Sequence, residues 1–414
     1  MLPDHHHNLF DAAVLTILNA YSSFSYKPQH SQWTILASFF LTRQGGPSLQ
    51  SGGDEIKIIS LATGTKCLPA TKLSPRGETV HDCHAEVLAR RSALRWIHEE
   101  IIRIRTLDSE GKGYSSQWLT QGPDGKYALH EDVQLNLYVS TLPCGDASMR
   151  FLASVQEESM ASLKNSSVFP DLDPLAVSRG RDNYARLGAL RTKPGRADSP
   201  PTLCMSCSDK IARWNVLGIQ GALGSKFLAP LYIGAVVIGE VPLEMRKVAL
   251  EDCERAFWSR LGGIEGLPTS FSVHRPGIHF TNFPFAHSRS VLGSSSSSNE
   301  ALCWNANSQS FEILINGLKR GVAPKDRYRE KSRPRVSRIA LLNLYNDVLK
   351  AFGDSQLSAS DTYLQLKHAS IYYQAAQHKL AGQNGPFAGW ITSGTKWKEF
   401  NINGEVLSLS EPSM

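Results

Sequence analysis

The stretch LYIGAVVIG, Leu231–Gly239, constrains the fold more than any other part of the chain. It is a continuous apolar run of strand length, and a strand of that kind belongs in a sheet covered on both faces. Two further stretches read as strands, IKIISLATGTKCL (Ile56–Leu68) and VQLNLYVSTLPC (Val133–Cys144). Both are rich in β-branched and aliphatic residues and end in turn chemistry. Helical periodicity begins at His84, at Cys207 and at Asp361. Strands alternating with helices predict an α/β layered architecture, and no internal repeat is visible. GGPSLQSGGDE (Gly45–Glu55) and the serine run GSSSSSNE (Gly293–Glu300) read as surface loops, too short to separate domains.

Of the 414 residues, 41% are hydrophobic, enough for a substantial core. No apolar stretch approaches the roughly 20 residues that cross a bilayer, so no membrane association is expected. The opening MLPDHHHNLFDAAV lacks the basic and apolar regions of a signal peptide. Seven cysteines are sparse for this length and point to a reducing compartment, hence an intracellular protein of the nucleus or cytoplasm. The formal charge of +6 is unevenly spread. Lys319–Arg338 holds nine Lys/Arg against two Asp/Glu, and Ser178–Arg196 six against one. Such runs either solvate loops or meet a polyanion, with nucleic acid the first candidate.

His84 and Glu86 stand one residue apart at the start of a helical run, Cys144 closes a strand after Pro143, and Cys207 opens a helix. One imidazole and two thiolates make a zinc set that leaves a fourth position open, as catalytic sites do. Zinc there would acidify a water toward neutrality, and Glu86, not itself a ligand, could carry the protons. The order H-x-E, P-C, C resembles the nucleobase-deaminase signature, except that the second cysteine follows the first by 63 residues instead of three. The bland alternative is a protein whose buried cysteines hold no metal.

A second oddity lies in the same helix. Val87, Leu94, Ile97, Ile101 and Ile104 form one stripe, and Arg90 falls inside it with Arg91 at its border. A buried guanidinium needs a partner, most simply a carboxylate. Yet Lys210 and Arg213, then Tyr363, Lys367, Tyr373 and Trp390, repeat the pattern where carboxylates are scarce. Several cations converging from distant segments imply one polyanion in the interior.

DCHAEVLARRS (Asp82–Ser92), STLPCGDA (Ser140–Ala147) and MSCSDKIARWNVLGIQGAL (Met205–Leu223) closely resemble the zinc-dependent adenosine-to-inosine RNA deaminases, from about Asp11 to Phe400. The resemblance implies a cytidine-deaminase-like fold: a central mixed sheet flanked by helices, a large insertion between the cysteines and a C-terminal helical extension. It implies one catalytic domain over 1–414, with no room for a separate RNA-binding module, and no obligate protein partner. By match to its motifs His84, Cys144 and Cys207 would bind zinc and Glu86 would shuttle protons for attack at C6 of adenine. Arg90, Arg91, Lys210, Arg213, Tyr363, Lys367, Tyr373 and Trp390 would hold a buried inositol hexakisphosphate. Asp82 and Lys210 would relay that ligand to Cys207. Cys204, Ala222, Leu341 and Gln377 depart from the family pattern, with Lys379, Lys396, Lys398 or the 319–338 cluster as possible compensation.

The LRTKPGRADSPPT stretch (Leu190–Thr202) and His81 resemble the branch that acts on tRNA at the adenosine 3′ of the anticodon, with alanine tRNA the implied substrate. RNA contacts are then expected from Thr65, Lys66, Arg179, Arg181, Arg186, Arg191, Lys193 and Arg196. The alternatives are a deaminase acting on double-stranded RNA, an inactive deaminase-like RNA-binding subunit, and a structural zinc protein. Glu86 argues against the second, and the want of a fourth Cys or His ligand against the third.

Overall fold

The computed structural model describes residues 4–29, 31–43, 55–156, 177–194, 200–294 and 296–407. Nearly all of the expected 45–55 loop, the stretch 157–176 of the insertion, and Arg196 lie outside the described residues.

The chain opens with helix α1 (Asp4–Ser23) and the antiparallel pair β1 (Leu36–Arg43) and β2 (Glu55–Thr63). The short strands β3 (Thr65–Cys67) and β4 (Asp82–His84) follow, and β4 runs directly into helix α2 (Ala85–Ser109). Strand β5 (Val133–Val139) precedes the insertion, and helix α3 (Cys207–Leu217) closes it. Next come β6 (Ala235–Ile238), α4 (Arg246–Phe257), β7 (Gly277–Phe280), β8 (Glu300–Asn305), β9 (Glu312–Ile315) and β10 (Leu318–Lys319). The C-terminal extension is helical: α5 (Arg338–Phe352), α6 (Tyr363–His368) and α7 (Ile371–Ala381).

Eight strands form one mixed sheet in the order β7-β6-β5-β1-β2-β8-β9-β10. Strands β5, β6 and β7 run parallel, and the other pairs are antiparallel. The run that opened the sequence analysis supplies β6, and its side chains alternate as a pleated strand requires. Ala235 and Val237 pack under α1 with Val14 and Ile17, while Val236 and Ile238 join the core beneath α2 with Leu88 and Ala93. Both faces are covered, as expected. A third cluster, with Met205, Val216 and Leu217 against Phe271, Ala376 and Leu380, docks α7 onto α3.

The stretch Ile56–Leu68, read from sequence as one strand, is split into β2 and β3 at Gly64, whose φ of +146° suits no L side chain. A Cβ there would lie 2.1 Å from the Cys83 carbonyl oxygen, so only glycine lets β3 lie along β4.

Candidate active site

Three element junctions meet at one point. His84 is the residue preceding α2, Cys144 lies in the loop after β5, and Cys207 is the first residue of α3. Ser206 caps α3 by accepting the Asp209 N–H. The His84 Nδ1 lies 3.7 Å from the Cys144 Sγ and 3.6 Å from the Cys207 Sγ, and all three donor atoms fall within 4.8 Å of one another. Tetrahedral zinc with ordinary bond lengths would set its N···S edges at about 3.6 Å, so this donor set fits the ion. A hydrogen bond from Cys207 holds Cys144 well below the ordinary thiol range, while burial and that same bond push Cys207 up.

Glu86 sits in the first turn of α2 and is 1% exposed. Burial, and then the charge of Cys144, raise its pKa, and its Oε2 atom has no hydrogen-bond partner among the described residues. A buried unsatisfied carboxylate oxygen calls for an explanation, and a proton-carrying role supplies one.

Behind Cys207 runs a chain of charges. Asp82 bonds Lys210, and both of its oxygens accept from the Lys193 Nζ at 3.1 and 2.8 Å. That same ammonium lies 3.1 Å from the Cys207 Sγ. Burial opposes the charge on Lys193, but Asp82 and the cysteine sulfurs outweigh it and hold its pKa well above the ordinary value. The expected link from Asp82 and Lys210 to Cys207 is therefore made through Lys193, which sequence reasoning placed on RNA. Lys193 is 2% exposed and spent on this network, so it cannot grip a phosphate at the surface. Arg191 needs the same correction. It is fully buried and donates to the carbonyls of Gly180, Asp182, Asn183 and Arg186 at 3.2, 2.7, 3.0 and 2.6 Å, folding that loop about itself.

The remaining RNA candidates are nearer the surface. Arg179 and Lys66 are exposed, with the Lys66 Nζ 2.8 Å from the Ser297 hydroxyl; Arg181 is half-buried. Thr65 pairs with His84 across β3 and β4, and its hydroxyl is buried without a partner among the described residues. Arg186 donates to the Ser178 hydroxyl at 2.9 Å.

The buried arginines of α2 open onto a cavity of about 330 Å³. Every expected residue is there: Arg90, Arg91, Lys210, Arg213, Tyr363, Lys367, Tyr373 and Trp390. Arg338 and Lys398 line it as well. Of the cations expected as possible compensation, Lys398 and Arg338 of the 319–338 cluster thus lie on the wall, whereas Lys379 and Lys396 do not. Cys204, Ala222, Leu341 and Gln377, the departures from the family pattern, all fall on this wall. The simple expectation of a carboxylate for Arg90 or Arg91 fails. Neither has an ion pair among the described residues; Arg91 donates to the Val336 carbonyl at 2.5 Å and the Arg90 Nε is unpartnered. Crowding shows in the proton affinities. Burial, then Arg213, Arg338, Arg90 and Arg91, lower Lys367 to about 7, and burial with Lys367 lowers Lys398 to about 8. Within the rest of the 319–338 cluster, Arg327 pairs with Glu78, and Lys319 and Arg335 both pair with Glu312.

Residues 60–393 match the model of the adenosine-deaminase (editase) domain. The chain belongs to the adenosine-deaminase (editase) family. A relative from Schizosaccharomyces pombe, "tRNA-specific adenosine deaminase 1", is 31% identical over 88% of this chain and 88% of its own length. One of the same name from Drosophila melanogaster is 30% identical over 91% and 92%. "Double-stranded RNA-specific editase B2" from Mus musculus is 31% identical over only 54% of this chain and 29% of its own length. Membership makes this chain an enzyme that deaminates adenosine.

Proposed function

We propose that the protein converts adenosine to inosine in tRNA, at the adenosine immediately 3′ of the anticodon, with alanine tRNA as substrate. The observation that carries this reading is the convergence of His84, Cys144 and Cys207 beside a buried carboxyl whose Oε2 has no partner, in a chain that aligns along nearly its whole length with relatives named for tRNA. The partial match to the editase argues against duplex RNA as the substrate.

His84, Cys144 and Cys207 would hold the zinc, which supplies a water acidified toward neutrality. Glu86 takes a proton from the attacking water and delivers protons to the purine ring and then to the departing amine, so that ammonia leaves. Its raised proton affinity suits it to accept as well as to deliver a proton. Lys193 favours the charged sulfur of Cys207 and ties it to Asp82. The cavity would hold inositol hexakisphosphate, whose phosphates satisfy guanidinium and ammonium groups that have no carboxylate. Thr65, Lys66, Arg179, Arg181 and Arg186 remain candidates for RNA contact.

The test is inosine formation on folded tRNA and on a bare RNA duplex, with wild type and Glu86→Ala side by side. Inosine next to the anticodon, lost with Glu86→Ala, is expected. Activity on the duplex alone would overturn the substrate, and activity on neither would favour an RNA-binding role without catalysis.

A further inference from the structure

Both candidate ligand cysteines are followed two residues later by an aspartate with no exposed surface: Asp146 after Cys144 and Asp209 after Cys207. The two are wired alike. Asp146 accepts the Gly188 N–H at 2.7 Å and the Arg255 guanidinium at 2.9 Å. Asp209 accepts the Arg191 N–H at 2.9 Å and the Arg260 guanidinium at 2.6 Å. Each carboxylate thus takes one backbone N–H from the returning limb of the insertion and one arginine from the end of α4 or the turn after it. Between them the Ser208 hydroxyl joins the two cysteine loops, accepting the Ala147 N–H at 3.2 Å and reaching the Cys144 carbonyl at 2.9 Å.

The pinned limb ends at Lys193. The Ser206 N–H donates to the Arg191 carbonyl at 2.7 Å, and the Lys193 N–H donates to the Cys204 carbonyl at 2.7 Å. These bonds fix the backbone from which Lys193 reaches Cys207. Burying two carboxylates costs desolvation that an apolar anchor would avoid, so their repetition at the same offset from both cysteines calls for a role tied to those cysteines. Resting on the metal-site reading above, we infer that Asp146 and Asp209 are positioning residues. Together they clamp the insertion to both ligand loops and set the contact between the Lys193 ammonium and the Cys207 sulfur.

The test replaces the metal with Co(II), whose thiolate charge-transfer band reports on the cysteine sulfurs without needing substrate. Lys193→Met should move that band, and Asp146→Asn and Asp209→Asn should move it the same way. Both should speed metal loss to a chelator by about tenfold, the lower end of what removing an outer-shell partner does. Values of kcat should fall with KM near wild type. In a Lys193→Met background, Asp209→Asn should add no further shift. Glu251→Gln, which removes an exposed partner of Arg150 on α4, should leave the band in place. A band unmoved by both aspartate substitutions, a fully additive double variant, or a shift with Glu251→Gln would each overturn the inference. Should an aspartate variant fail to fold, Arg255→Lys and Arg260→Lys keep the charge and shorten the reach; a shifted band supports the clamp and an unshifted one overturns it. A wild-type protein showing no band at all would remove the metal reading, and this inference with it. A band that is present but unmoved removes the clamp alone.

Discussion

Glu86 carries an unusual combination at the scale of one residue, a buried carboxyl with one oxygen left unpaired among the described residues. Glu86→Gln keeps its shape and removes its proton chemistry. Inosine formation should fall by about 10²- to 10⁴-fold, the usual worth of a general acid–base group, while bound metal per chain stays at the wild-type level. Loss of metal in the variant would instead make Glu86 a structural residue. Stability provides a second check. Its pKa is raised in the fold, so the native state binds more protons than the unfolded chain, and stability falls as pH rises through and above the ordinary value of 4.5. Metal-free Glu86→Gln should therefore melt above metal-free wild type at pH 7. Glu86 and the three candidate ligands, His84, Cys144 and Cys207, were legible as a set because a zinc site would call for those side chains, and strand and helix ends bring them together. Lys193 was not. Its partners Asp82 and Cys207 lie on other segments, and its neighbours Arg191 and Arg196 make it look like one more member of a solvated basic run.

Elements come together at this site through a close approach that depends on Gly145. Its φ is +104°, and a Cβ there would lie 2.2 Å from the Ser206 hydroxyl, the cap of α3. Gly145→Ala should force the Cys144 loop away from the start of α3 and lower stability by about 2 kcal/mol or more, from backbone strain together with the displaced cap. Metal retention should fall with it, measured by denaturant unfolding and by zinc content after dialysis. Unchanged stability and zinc content would show that the two loops do not depend on this approach. Strands and helices themselves were readable from period and composition, β6 most clearly. Their order in the sheet was not. Strand β2 pairs with β8 across more than two hundred residues, and alternation along a strand fixes its faces but leaves its neighbour open. The insertion shows the same limit. Its arginines read as a surface, yet Arg191 is fully interior because four carbonyls of one loop turn inward to meet it.

Charge is organised at the scale of the whole molecule. Seven basic side chains and Asp82 line the central cavity, a formal +6 that equals the +6 of the entire chain. The net charge that pointed outward to nucleic acid is thus matched by the charge held inside, and the protein without a polyanion must carry that repulsion. Burial first, and then that repulsion, lower Lys367 and Lys398 from an ordinary 10.5 to about 7 and about 8. The unfolded chain binds more protons than the empty fold between about pH 7 and 10.5, so the stability of the empty protein should rise as pH climbs through that window. A polyphosphate in the cavity restores the proton on both lysines, so its binding takes up protons and weakens as pH passes 7 and then 8. Protein stripped of bound anion should therefore gain most in Tm from added inositol hexakisphosphate near pH 6.5 and progressively less at pH 7.5 and 8.5. Calorimetry in buffers of different ionisation heat should show proton uptake at pH 7.5. Arg338→Gln should reduce the Tm gain at each pH, whereas Arg329→Gln, whose partner Asp326 lies outside the cavity, should not. A gain in Tm that is the same at every pH, with no proton uptake, would place the polyanion away from Lys367 and Lys398. It would leave the repulsion among these buried cations without its counter-charge.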